Sequence, residues 1–340
     1  MSGGAVNKQN NVSARAGVNL HWFTQERIVL AISVVMFVAF SLTLNGFFSV
    51  DNLLILTRNV AVLGILGVGM AIVVIGRGID LSIIAVMAVS AAFTLQLIND
   101  GYSIGVALAA GGATALTLGV INGLLIAFVE IPALFATLAT GMVLYGFGKA
   151  FLVDLDVVYL PENTGWFEDI GKGTIGPLPM SIAIFAGVAF LVFLILSRTR
   201  FGRFVYATGD NPLAARVTGV GVRTLIVGQY ALSSMIGFVA GIVVATSVSS
   251  MNTRIFNSTM VYDVILVVVL GGIGLSGGKG SVRSVIVGTL LIGTLLDGMT
   301  IMDVQYTLQS LVKSLILLFA IVLDSLLHPR NEETAQQGDI

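Results

Sequence analysis

The chain has 340 residues, 56% of them hydrophobic and 10% charged, with a formal net charge of −1 and a mean hydropathy of +0.99. Soluble domains carry about a quarter charged residues, so this composition points to an all-α polytopic membrane protein, and the lack of basic excess excludes nucleic acid as a partner. The absence of cysteine excludes disulfides, cysteine-ligated zinc, iron–sulfur clusters and thiol catalysis. Two histidines, His21 and His328, flank the apolar body and leave almost no material for a metal site or a catalytic triad, so no cofactor is expected.

Residues 1–27 are polar, and the first apolar run is too long for a signal peptide. A bilayer crossing takes about 20 apolar residues. Runs of that kind occupy 28–50, 60–76, 81–98, 104–129, 133–153, 179–197, 224–249, 261–276, 282–300 and 307–326. They predict about ten helices in one transmembrane domain over 28–326, followed by a short tail at 327–340. The second, third, eighth and ninth runs are short or interrupted by glycine, which marks them as candidate broken helices of the kind that line transporter pathways. The 40 glycines suit helices that approach backbone to backbone in lipid.

Charge asymmetry orients the spans. The connection at 198–223 carries Arg198, Arg200, Arg203, Arg216 and Arg223 against Asp210 alone, so it is expected in the cytoplasm. The 154–178 connection carries Asp154, Asp156, Glu162, Glu168 and Asp169 against Lys172, so it is expected outside. Ten spans then place both termini in the cytoplasm, beside Lys8, Arg15, Arg27 and Arg330.

Inside the basic connection, Asn211 is a good N-cap and Pro212 suits a first helical position. Leu213, Ala214, Ala215 and Arg216 continue under two turns of helix, and Gly219 closes it in the left-handed conformation. A helix this short is unstable alone in water and needs a surface to dock against. Ala214 and Ala215 are small enough to let a partner approach closely, and Arg216 can reach an acidic group on it.

Ionisable residues within apolar runs are costly unless paired or hydrated. Arg77 and Asp80 are spaced to pair across one helical turn. Asp263, Asp297 and Asp303 fall near span ends, and Lys149 and Lys313 can snorkel to an interface. Ser82, Asn122 and Thr140 suit either a sugar hydroxyl or hydrogen bonding between helices. A faint internal echo pairs "VIGRGIDLS" (74–82) with "VVLGGIGLS" (268–276), which adds Gly272 and Ser276 to a candidate solute pathway, since transporter repeats meet at the substrate path.

Five segments carry a resemblance to a known family: "GMAIVVIGRGIDLS" (69–82), "NGLLIAFVEIPALFATLAT" (122–140), the Gly-Pro-Gly-punctuated basic stretch 199–224, "VVVLGGIGLSGGKGSV" (267–282) and "LVKSLILLFAIVLD" (311–324). In order and over most of 58–325, they resemble the ribose/galactose/xylose-type permeases of bacterial ABC importers, within the branched-chain amino acid/ribose permease superfamily. Arg77, Ile84 and Ile273-Gly274 depart from the usual residues of that family. The resemblance implies a multi-pass protein of the bacterial cytoplasmic (inner) membrane that carries a monosaccharide or related polyol. It also implies three kinds of partner: a second permease copy or paralogue, two ATPase subunits that bind the ATP, and a periplasmic solute-binding protein. In that reading 211–219 is the ATPase-coupling segment. "GLSGGKGS" (274–281) only imitates a phosphate loop, because Ile273 stands where the first glycine is needed and Gly280 replaces the Ser/Thr. The alternatives are an ion-coupled secondary transporter, for which Asp80 is the best ion site, and a non-transporting scaffold.

Overall fold

The structure, a computed structural model, describes residues 25–162 and 164–327. The expected tails, 1–27 and 327–340, therefore lie almost wholly outside the described residues. The helices are α1 (Gln25–Thr43), α2 (Val50–Ile75), α3 (Ile83–Asn99), α4 (Ile104–Ala127) and α5 (Ala133–Phe147), the last continued by a π-helical turn at Gly148–Leu152. A strand β1 (Val157–Tyr159), a short α6 (Trp166–Lys172) and the hairpin β2 (Thr174–Ile175) and β3 (Leu178–Pro179) lead into α7 (Met180–Arg198). Then come α8 (Arg200–Asp210), α9 (Pro212–Val217), α10 (Val222–Ser247), β4 (Ser250–Asn252), α11 (Met260–Leu270), α12 (Val282–Ile301) and α13 (Tyr306–Leu327).

Among the described residues, α1, α2, α4, α5 with its π turn, α7, α10 and α12 are seven helices long and apolar enough to cross a membrane; α3, α11 and α13 supply shorter apolar stretches. Two of the four candidate broken helices are continuous. The second runs unbroken for 26 residues, and the ninth for 20. The polar residues Asp51, Asn52, Arg58 and Asn59 mask the start of α2 in the sequence, but they lie within the helix, several turned toward protein rather than lipid. The other two, α3 and α11, are short, and each adjoins a non-helical turn.

Burial separates a core from a rim. Of the most apolar stretch of α2, 89% is buried, against 11% for α1. A helix apolar all round belongs in the interior, and in lipid the rim is apolar too. The inner helices approach closely through small residues. Gly119 and Gly123 of α4 lie against the α10 backbone at Tyr230–Ala231 and Val227, where a Cβ would collide. Gly241 of α10 is packed equally closely on the Met87 carbonyl of α3. The four-residue spacing of Gly119 and Gly123, and Gly241 opposite α3, give backbone-level contact without a hydrophobic driving force.

At one end, β1 pairs antiparallel with β4, tying the 154–178 connection to the chain leaving α10. The opposite end carries α8 and α9. The sequence predicts a loop with one tiny helix over 198–223; instead most of that connection is helical. Its first helix, α8, has Thr199 as N-cap, accepting from the Gly202 N–H at 3.2 Å. Two arginines and two glycines conceal this helix from an apolar-run search, because its stability comes from docking rather than from propensity.

Candidate functional site

The turn 76–82 between α2 and α3 lies at the centre of a cluster of buried polar groups. Asp80, Ser82, Asn122, Thr137 and Ser233 are fully buried, and Thr140 is nearly so. Asp80 Oδ1 accepts from the Ser82 backbone N–H at 3.1 Å and the Ser82 hydroxyl at 2.6 Å. Asp80 Oδ2 accepts from Ser233 Oγ on α10 at 2.8 Å. The Asn122 amide on α4 donates to Ser82 Oγ at 2.8 Å, and Thr140 on α5 donates to Asn122 Oδ1. Thr137 accepts from the Leu81 N–H at 3.1 Å. One chain of hydrogen bonds therefore joins the turn to three helices. The Asp80 carboxyl is met by hydroxyls and an amide N–H, whereas exposed Arg77 points its Nε to the Ser276 carbonyl at 2.8 Å.

Arg77 also shapes this turn. With φ of 69° it occupies the left-handed position that glycine favours. It closes α2 in a Schellman motif, with Gly78 N–H on the Val73 carbonyl and Arg77 N–H on Val74. α11 ends in the same way: Ile273 N–H meets the Val268 carbonyl, Gly272 N–H meets Val269, and Gly272 has φ of 102°. The echoed segments thus share a helix ending, one residue out of register with the matching letters. The two turns touch, since Gly278 donates to the Ile75 carbonyl at 2.8 Å.

α8 sits on both turns. Gly209 packs on the Ile75 carbonyl and on Gly278, with no room for a Cβ, and the Tyr206 hydroxyl donates to the Gly280 carbonyl at 2.8 Å. Burial in that contact raises the Tyr206 pKa. α9 follows directly, its N-cap Asn211 accepting from the Ala214 N–H at 3.0 Å, and Gly219 takes φ of 85° beyond its end. Leu213 is 50% exposed and Val217 88%, while Ala215 is only 4% exposed. The expectation that Ala215 faces a partner is therefore corrected: it packs within its own chain, and α9 presents Leu213, Ala214, Arg216 and Val217 outward.

At the other end, Lys313 on α13 forms an ion pair with Asp263 on α11 at 2.8 Å, both side chains at most 10% exposed. Its ammonium also donates to Thr259 Oγ1 at 3.0 Å. Neither residue is the interfacial or snorkelling charge that the sequence suggests. Asp297 on α12 accepts from the Asn52 amide at 2.8 Å. These groups border a cavity of about 690 Å³ among α2, α10, α11, α12 and α13.

A family model described as "Branched-chain amino acid transport system / permease component" matches residues 52–321. The chain belongs to this permease family. The permease is 30% identical over 326 residues to the ribose import permease protein of Escherichia coli strain K12, covering 92% of this chain and 98% of that one. It is 34% identical over 274 residues to the ribose import permease protein of Bacillus subtilis strain 168, covering 80% and 84%. To the L-arabinose transport system permease protein of E. coli strain K12 it is 30% identical over 305 residues, covering 87% and 89%. No solved structure matches it. The permease is a multi-pass protein of the bacterial cytoplasmic membrane.

Of the pathway residues suggested by sequence, the permease brings Asp80, Ser82, Asn122 and Thr140 into one buried network. Gly272 and Ser276 lie in the neighbouring turn and meet that network's turn through Arg77. Sequence reasoning misses Ser233, which has no charge or motif to mark it, and Thr137, which lies within the 122–140 segment but is uncharged and not singled out there. It also misses Arg58 and Asn59, whose polarity breaks the apolar run and so removes them from the span they belong to.

Proposed function

We propose that this permease is the translocating half of an ATP-driven importer for a monosaccharide or related small polyol, with a separate ATPase subunit engaging α9. The α9 end then faces the cytoplasm and the β1–β4 end faces outward. The seven long and three shorter apolar helices make ten crossings or partial crossings, and both termini are cytoplasmic. A periplasmic binding protein delivers the solute. Two permease chains, as a homodimer or with a paralogue, and two ATPase subunits complete the assembly. The curated relatives, described as import permeases for ribose and fructose and as an L-arabinose permease, support the solute class.

The observation that carries the coupling role is the seat of α9: a six-residue helix with exposed Leu213 and Val217, joined by the single extended residue Asn211 to α8, which is locked onto both turns. A push on α9 is thereby delivered to the ends of α2 and α11 and, through 76–82, to the Asp80 network between α4, α5 and α10. No covalent chemistry takes place in the permease. The energy of ATP binding and hydrolysis shifts the balance between outward- and inward-open forms. The ion-coupled alternative would place its ion on Asp80, whose carboxyl is already occupied by Ser82 and Ser233.

The test is uptake in proteoliposomes containing permease, ATPase and binding protein. Uptake should vanish when the ATPase loses its catalytic glutamate and persist when a protonophore acts at constant ATP. Val217→Asp, at an exposed site, should leave permease abundance normal while ATPase co-purification and uptake fall together. Normal recovery of both in that variant would remove α9 from the coupling role.

A further inference from the structure

The cavity opposite α9 contains a charge that finds no partner among the described residues. Arg58 lies on α2 along the cavity wall, and its Nε is buried with no hydrogen-bond partner. Among the described residues nothing pairs with its guanidinium, and the adjacent Asn59 amide is likewise unengaged. An unmatched buried cationic donor in a membrane helix is costly and marks a functional position. The other charges of the cavity are disposed differently. Asp263 and Lys313 neutralise each other as an ion pair, the ammonium donating to Asp263 Oδ2 at 3.0 Å. Asp297 gives only Oδ2 to Asn52, which leaves Oδ1 available.

We propose that this cavity is the outward receiving site for the solute and that Arg58, Asn59 and Asp297 contact it, selecting a neutral polyhydroxylated molecule over an anionic one. This assignment rests on the importer reading given above. Hydroxyls both donate and accept, so one ring can accept from Arg58 and Asn59 while donating to Asp297. The four charged lining residues sum to zero formal charge, and an anion that met Arg58 would be opposed by Asp297. Ile55, Leu63 and Leu296 line the same space beside Tyr306, offering apolar surface to the C–H face of a sugar ring. The volume of about 690 Å³ lies within the usual range for small-molecule sites, about 300–1,000 Å³.

Val248, at the cavity and 65% exposed, offers a reporter, because the chain has no cysteine. In proteoliposomes of the complete importer, Val248→Cys would be labelled from the binding-protein side with an impermeant thiol reagent. D-ribose, D-fructose, L-arabinose or D-galacturonate would be present during labelling, and ATP-driven uptake of each would be measured in parallel. The neutral sugar that is taken up should slow labelling about tenfold, and galacturonate should not. Adding Arg58→Gln should raise the half-protecting sugar concentration by roughly ten- to a hundredfold, the effect of losing a charged hydrogen bond. Arg58→Lys should fall between, and labelling without sugar should keep its rate in both if the cavity is intact. Uptake of a neutral sugar without protection would overturn the site and leave the importer reading standing. Uptake of a neutral sugar that persists in full when the ATPase lacks its catalytic glutamate would fail the importer reading itself. Stronger protection by galacturonate, or unchanged protection in Arg58→Gln, would overturn the assigned selectivity.

Discussion

Replacing Asp80 with alanine should destabilise the permease more than any other single change in the buried network. Three hydrogen bonds converge on this carboxyl: two from Ser82 and one from Ser233. Hydrogen bonds within membrane proteins are worth about 0.6 kcal/mol on average and up to about 1.7. Three of them therefore give a loss of about 2–5 kcal/mol, before any cavity is counted. Asp80→Asn keeps one acceptor oxygen and should lose about half as much. Thr140→Val, at the end of the chain of bonds, forfeits one bond to Asn122 and should cost about 1 kcal/mol. Thermal unfolding of detergent-solubilised permease, followed by size-exclusion fluorescence, would rank the three. Ser233→Ala combined with Asp80→Ala should be less than additive, because both remove the same bond. An unchanged unfolding temperature and normal abundance for Asp80→Ala would refute the argument, as would Thr140→Val matching or exceeding it. If Thr140 also touches the solute, Thr140→Val should lower uptake well beyond its small loss of abundance.

Two further outcomes follow from the ion pairs. Lys313→Met alone should lose about 3–5 kcal/mol by leaving Asp263 buried and unpaired, whereas Lys313→Met with Asp263→Leu should recover most of that stability in the same unfolding assay; a double variant as unstable as the single would contradict this. Asp156 is held below the usual carboxylate pKa, first by its hydrogen bond from Lys149 and then by Arg254. A depressed folded-state value contributes stability above the unfolded carboxyl pKa and loses it as pH falls through the folded one, so the mobility of a nitroxide label attached at exposed Leu155→Cys, read by electron paramagnetic resonance, should rise below about pH 4. Asp156→Asn should show the raised mobility already at neutral pH.

Composition and apolar run length determine on their own that this chain is a helical membrane protein, because a bilayer imposes a length and a polarity that few other environments require. The α9 cap was equally legible, since Asn211, Pro212 and Gly219 act through local backbone geometry. The polar pathway candidates Asp80, Ser82, Asn122 and Thr140 could be selected because polar groups in apolar runs are rare. Tertiary structure alone decided which of them meet. Hydrogen bonds between residues forty or more positions apart leave no periodic trace, and Ser233 joins the network with nothing to distinguish it from α10's other serines. Tertiary structure also decided that α2 begins at Val50: Arg58 and Asn59 read as a break in a lipid-facing run, but a cavity between helices lets them remain inside one. Ala215, small enough for a partner in the sequence, proves to be packed by its own chain, because burial depends on what lies opposite and not on the residue's size.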